Sequence, residues 1–500
     1  MLALVAAVGA VALFVSLAAA VRRDRLRGTV VAVVLGLHCF AWSPLVPQVV
    51  CDAVVVASLV LLLMAAASPR ADAPAMHGGP ASSLIVVLFA SACLVTVVAY
   101  PPGFGLVFRM TLLVLLVVVV LGRGGAADRR RVVDGVVVVA VLQSLAGIVE
   151  FVRGEPLLWG YKVYTTGRGL WNENHLLGGE VARVQGTMSH ALPYGTLLMV
   201  ALVLLLCTWH RRAVAARWSA LALFSTMVVA SGSRSALIGI VLALTYLLVS
   251  SRRAATWQRG SVLAATGAAA VLTSWSTVAS TVDQLLQSGS YENRAGHLFA
   301  VPRLIGRPAL EAFFGSGESS EQRLFAQGYF YGTGFNVVDN QLLSSLATQG
   351  VLGAGLVISV FVVAARHGGR DVRASLIVLT SALMTFEFFK MTSMVLLFTV
   401  VVCLAGSPRD PDGPGDTLAE TPRGTGVPSS TDPVATVPVS SVPVSSVPVS
   451  SVPVSSVPVS SGPVSPGRRG LAADRPVDVP GSPDDTSGPR RRGRRAASPH

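Results

Sequence analysis

Apolar runs long enough to cross a bilayer follow one another through the first 405 residues, and short arginine clusters interrupt them. A bilayer core takes about 20 apolar residues as a helix, and chain inside it must satisfy its own backbone hydrogen bonds. The runs fall at 2–21, 28–46, 49–67, 83–100, 106–121, 132–152, 192–209, 217–231, 235–250, 261–279, 340–365, 374–388 and 391–405. Only 13% of residues are charged and 52% are hydrophobic, against about 25% charged in soluble domains. The expected fold class is an all-α polytopic membrane protein with about 12–13 transmembrane helices.

The net charge is +13 and the pI about 10.3. In a soluble chain that balance would point to nucleic acid, but here the basic residues sit between apolar runs, which is the mark of membrane orientation. Membrane lipid is the expected partner, and nucleic acid is not. Cys39, Cys51, Cys93, Cys207 and Cys403 all lie within apolar runs without metal-type spacing, so they count as small core residues.

The run at 2–21 has no basic residue before it and Arg22-Arg23-Asp24-Arg25-Leu26-Arg27 after it. A signal peptide carries its charge first, so this is an anchor with its N-terminus outside; Ala18-Ala19-Ala20 keeps a cleavage site as the alternative. Placing Arg22 to Arg27 inside also places Arg70, Arg123, Arg129 to Arg131, His210 to Arg217, Arg252 to Arg259 and Arg366 to Arg373 inside. The expected location is the cytoplasmic (inner) membrane. Two long loops, 153–191 and 280–338, then fall outside, and they are unusually rich in arginine for outer loops.

The domain plan is N-terminal transmembrane helices over 1–130, a transmembrane core over 131–405, and a tail over 406–500. The tail holds five tandem Val-Pro-Val-Ser-Ser copies from Val437 to Ser461 and ends in Arg490-Arg491-Arg492-Gly493-Arg494-Arg495. Regular Pro forbids helix and sheet, so a disordered cytoplasmic tail is expected. Its basic end suits anionic lipid or a partner; a repeat expansion without function fits equally well.

Four features gather on the outer side. Arg183 and His190 precede the run at 192–209, either as site residues or as interfacial anchors. Arg234 follows the turn Ser231-Gly232-Ser233, where a cation is costly unless it faces water or a partner, or snorkels from a helix end. Arg294 lies in Tyr291-Glu292-Asn293-Arg294, with Leu298, Val301 and Ile305 at helical spacing, as in an interfacial helix. Asp339-Asn340 comes nine residues before Gly350-Val351-Leu352-Gly353. Asp339 fits two roles, a helix N-cap or a base, and Gly350 and Gly353 would allow close helix packing.

Arginines donate paired hydrogen bonds to phosphate oxygens, and a nearby carboxylate accepts a proton from a hydroxyl nucleophile. Three arginines and one carboxylate on one face meet the needs of glycosyl transfer from a lipid pyrophosphate, with Arg183, Arg234 and Arg294 on the pyrophosphate and Asp339 as base. Fixed arginines do this without a metal, and no Asp-x-Asp or His/Cys cluster lies outside to hold one, so no cofactor is expected.

The order of these motifs resembles the O-antigen ligase and O-antigen polymerase superfamily: an Arg-x-x-Gly segment before a helix, a Ser-Arg turn, an Arg-bearing outer loop, then Asp-Asn before Gly-x-x-Gly. The likeness covers roughly residues 130 to 405. It implies a metal-independent inverting glycosyltransferase of cell-surface polysaccharide biosynthesis, related to the C-type glycosyltransferases. Its donor would be an undecaprenyl-diphosphate-linked glycan and its acceptor a saccharide or lipid-linked glycan. Asp339 would stand at the position of the proposed base, which is His in the lipopolysaccharide ligases; Asp there favours polymerase or another glycan transferase. His190, His297 and His175 are alternative bases outside the motif position, and Asn340, Gly350 and Gly353 are supporting. Glu387 and Lys390 would pair with each other or sit at the outer interface. The competing class is a lipid-linked glycan flippase or polysaccharide exporter, which would gather charge at the bilayer midplane instead.

Overall fold

A computed structural model describes residues 2–41, 46–69, 79–158, 174–177, 181–208, 212–250, 299–330 and 337–406. Among these residues the chain is helical and without β-strand. The helices are α1 (Leu2–Ala20), α2 (Arg23–Ala41), α3 (Gln48–Ala67), α4 (Pro80–Ala99), α5 (Phe104–Gly122), α6 (Ala126–Arg153), α7 (Ala191–Cys207), α8 (Val214–Ser231) and α9 (Arg234–Val249). After them come the short helices α10 (Ala300–Ile305), α11 (Ala309–Phe314), α12 (Glu321–Ala326) and α13 (Gln341–Thr348). The bundle ends with α14 (Gly350–His367), α15 (Arg370–Leu383) and α16 (Thr392–Ala405).

Each expected crossing appears as a single helix except 340–365, which is divided, and 261–279, which lies outside the described residues, as does the repeat tail. Six helices are long and apolar enough to span a membrane: α3, the segment Pro101–Gly122 containing α5, α4, α6, α8 and α14. Shorter apolar helices include α7, α9 and α16. The protein is an all-α polytopic membrane protein. Large apolar side chains such as Val98, Leu142, Val152 and Ile358 remain exposed on the bundle, as lipid-facing residues must.

Buried side chains of α7 and α16 occupy the middle of the bundle: both are covered nearly all round, which requires a helix apolar on every face. Small residues let other pairs approach closely. Gly135 of α6 meets Ala32 of α2, and Gly28 lies against the Asp128 backbone, so a side chain at either glycine would overlap its neighbour.

The two ends of the bundle differ in chemistry. At one end Arg27, only 3% exposed, donates to the carbonyls of Ser68 at 2.7 Å and Arg123 at 3.0 Å, closing the ends of α3 and α5. Nearby, Arg129 pairs with Asp371 at 3.0 Å and Arg212 with Asp134 at 2.5 Å. The basic clusters on described residues thus gather at one end, which matches the alternation inferred from charge.

The run at 340–365 differs from expectation. It is not one crossing but two helices, α13 and α14, broken at Gly350 with φ +68°. The Phe313 carbonyl and the Gly315 nitrogen crowd the spot where a side chain on residue 350 would be. Only glycine satisfies both the left-handed backbone and that approach.

Candidate functional site

At the other end of the bundle, chain 181–190 lies across the turn between α8 and α9. The Val184 N–H donates to the Ala230 carbonyl at 3.0 Å, and Arg183 Nε donates to the Ser231 carbonyl at 2.9 Å. Asn174 fastens the same turn, its side-chain amide donating to the carbonyls of Val229 and Ala230 at 3.0 and 2.8 Å. Gly232 closes α8 in the left-handed region at φ +62°, and Ser233 caps α9 through its side chain. Arg234 is then the first residue of α9, half-buried, with no hydrogen bond or ion pair to a described residue.

The segment after Arg183 is held from below. Glu150 of α6 accepts the Gln185 and Gly186 N–H groups at 3.0 and 2.7 Å, and Gln143 accepts the Thr187 N–H at 3.1 Å. His190 caps α7, its Nδ1 accepting the Leu192 N–H at 3.2 Å. That bond gives His190 a local structural task, which the sequence did not separate from the part of an anchor or an alternative base. Glu150 and Gln143 sit inside a predicted membrane run, so nothing in the pattern marked them as the support of this loop.

Asp339 is half-buried in extended chain just before α13. The cap of α13 is Asn340, whose side-chain oxygen accepts the Leu343 N–H at 3.2 Å. Of the two roles open to Asp339, helix capping therefore belongs to its neighbour. Asn340 also reaches the Met384 sulfur at 3.8 Å, and Ser381, one turn earlier on α15, donates to the Ser235 carbonyl at 2.7 Å. The end of α15 thus touches the start of α9 beside Arg234 and the start of α13 beside Asp339. Arg183, Arg234 and Asp339 share one end of the bundle, opposite the basic clusters.

Arg294, His297 and most of the helical spacing around them lie outside the described residues, as does the His175 side chain. Two other arginines of that loop have structural partners. Arg307, 5% exposed, donates to Ser316 Oγ at 2.7 Å and to the carbonyls of Leu304, Leu346 and Ala347 at 2.9, 2.9 and 3.1 Å. It serves the carbonyl end of α13, which explains part of the loop's positive charge without a ligand. Arg323 stacks over the Tyr100 ring at 5.7 Å. Gly353 packs against the side chain of Gln349, the residue that precedes α14.

The sequence missed a charge cluster at this end. Lys390 lies 2.9 Å from Glu321 and 2.7 Å from Glu387. Ser344 of α13 donates to Glu321 at 3.3 Å, and Gln341 accepts the Phe389 N–H at 2.7 Å, so the cluster clamps α13. Glu387 and Lys390 do pair, as expected, but Glu321 was hidden among exposed-looking loop residues some 66 positions before Glu387. Among the described residues no group of His, Cys, Asp and Glu has the arrangement to hold a metal ion.

This architecture defines the protein's class: a polytopic helical membrane protein whose two ends carry different polar machinery, one of basic anchors and one of an arginine-bearing turn, an acidic residue and a charge cluster. No protein-family model matches the chain, and no curated protein matches it.

Proposed function

We propose that this chain is a membrane glycosyltransferase that transfers or polymerises a polyprenyl-diphosphate-linked glycan onto an acceptor hydroxyl. The observation that carries the reading is the contact of α15 with both α9 and α13, through Ser381–Ser235 and Asn340–Met384, which gathers the Arg234 turn and Asp339 at one end. That end lies opposite the basic clusters, and the positive-inside tendency supports reading it as the outer face of the cytoplasmic membrane.

In this reading Asp339 accepts the proton of the acceptor hydroxyl, whose oxygen attacks the anomeric carbon of the donor sugar. The bond from that carbon to the diphosphate oxygen breaks as the new glycosidic bond forms, with inversion. The diphosphate leaves with the electron pair, and Arg183 and Arg234 stabilise its charge. The resemblance adds Arg294 to that set. Arg183 is oriented for the task by its bond to the Ser231 carbonyl. Asp339 is spared from capping by Asn340.

The test is transfer by the purified chain in lipid nanodiscs, with undecaprenyl-diphosphate-linked glycan as donor and free glycan as acceptor. Release of undecaprenyl diphosphate with a lengthened product supports the reading. Translocation of the intact lipid-linked glycan without any cleavage would instead support a flippase.

A further inference from the structure

Charge alone places the loop 280–338 outside the bilayer, yet α11 and the chain after it are fixed to the ends of spanning helices. α11 packs on α14, and the Phe313 carbonyl and the Gly315 nitrogen crowd Gly350, the first residue of that helix. The next residues reach α4. The Glu318 N–H donates to Thr96 Oγ1 at 2.9 Å, and the Glu318 carbonyl lies against Gly103, in the turn that leads into α5. Thr96 belongs to the last turn of α4.

These contacts fix a depth. The 18 residues of α14 cover about 27 Å as a helix, against about 30 Å for the hydrocarbon core of a bilayer. To span the membrane, α14 has no turn to spare. Gly350 therefore lies at the hydrocarbon boundary, and the residues that touch it lie there too. Thr96, just inside the end of the spanning helix α4, gives the same level from a second element.

At that level α11 turns an apolar stripe outward. None of its residues is buried. Leu310, 74% exposed, is followed by the exposed Phe313 and Phe314 at helical spacings of three and four, which puts all three on one side. The stripe meets α14 at the Phe313–Gly350 contact, next to the exposed Val351. From Val351 the exposed Ile358 and Val362 continue along one face of α14, the face a spanning helix turns to lipid. Glu311, also exposed, stands about 100° round the helix from Leu310. An apolar stripe with a charge at its side suits the boundary between acyl chains and headgroups.

We propose that α11 is a membrane-interfacial element: its Leu310–Phe313–Phe314 face, continuous with Val351 of α14, is covered by the acyl chains of the lipid leaflet at this end of the bundle. The seat is coupled to α13. Arg307, two residues before α11, donates to the Leu346 and Ala347 carbonyls, and the Ser316 and Gly317 N–H groups after α11 donate to the Ala347 and Thr348 carbonyls at 3.1 and 2.8 Å. The leaflet thus sets the height of the helix that follows Asp339. This seating holds whatever reaction the chain performs.

Nitroxide labels on Leu310→Cys and, separately, Phe314→Cys test this in the full chain in lipid nanodiscs. Electron paramagnetic resonance reads their collisions with oxygen, which concentrates in the bilayer, and with a water-soluble nickel chelate. A label on Ile358→Cys is the lipid reference and free label in buffer the water reference; the unsubstituted chain, treated alike, gives the background from its five cysteines. The oxygen-to-nickel collision ratio at 310 and 314 is expected to rise well above the water reference and to stay below that at 358. A ratio at 310 equal to that of free label overturns the proposal, because the face is then in water. Few collisions with either reagent overturn it as well, because protein, from a second copy or another segment of this chain, then covers the face. Leu310, the more exposed position, decides by itself if Phe314→Cys does not fold.

Discussion

The Asn340 side-chain oxygen accepts the Leu343 N–H at 3.2 Å, so Asn340 and not its acidic neighbour starts α13. Loss of an N-cap costs about 1 kcal/mol. Asn340→Ala is therefore expected to lower stability by about that amount, and by more than Asp339→Asn, which keeps the side chain's shape and one acceptor oxygen. Thermal unfolding in detergent compares the two. Equal destabilisation by both would return Asp339 to the role of helix cap.

Arg183 and Arg234 differ in what their removal exposes. Arg183→Ala frees the Ser231 carbonyl and is expected to cost about 1 kcal/mol of stability as well as donor affinity. Arg234→Ala breaks no bond to a described residue and is expected to leave stability unchanged. Since a hydrogen bond to a charged group is worth about 1.5–3 kcal/mol, each variant should bind undecaprenyl diphosphate at least about tenfold more weakly. Titration of that lipid, followed by intrinsic fluorescence, measures it; unchanged affinity in both variants would remove the arginines from the donor site.

Arg307→Met is a contrasting case. It keeps the apolar stem but strands the carbonyls of Leu346 and Ala347 and the Ser316 hydroxyl. Each stranded buried group costs about 1–3 kcal/mol, so folded protein is expected to fall sharply in size-exclusion yield. A variant as stable as the parent would show that the α13 carbonyls find other donors.

The charge cluster sets a pH dependence of stability. Glu318 and Glu387 have folded values near about 7 against an ordinary 4.5. Between those limits the folded protein holds protons that the unfolded chain has released, so stability is greatest below the lower limit and falls as pH rises toward the upper one. Lys390 is raised above its ordinary 10.5, mainly by Glu387, against burial; its contribution is full below that value and is lost above it. Unfolding midpoints measured across this range check the sign. In Glu318→Gln the decline toward neutral pH should become shallower.

Much of the helical plan was legible because a bilayer leaves one kind of solution to a long apolar run. The turn from Ser231 to Arg234 could also be placed, since Gly232 and Ser233 are the residues that end one helix and cap the next. The break at Gly350 was not, because its left-handed backbone answers to Phe313 and Gly315, at the end of α11 and distant in sequence. The same holds for Arg307, one charge of an arginine-rich loop, whose four acceptors include two carbonyls of α13, and for Glu321, whose partner Lys390 lies on another element. Local pattern identifies elements; partners brought together by the fold decide which charges are structural.

The most direct measurement of the central claim is glycan transfer by Asp339→Asn beside Asn340→Ala, each purified and reconstituted at equal folded amount. Loss of transfer in Asp339→Asn, with lipid-linked donor accumulating and stability retained, together with residual transfer in Asn340→Ala, is the predicted result. Normal transfer by Asp339→Asn would contradict the account.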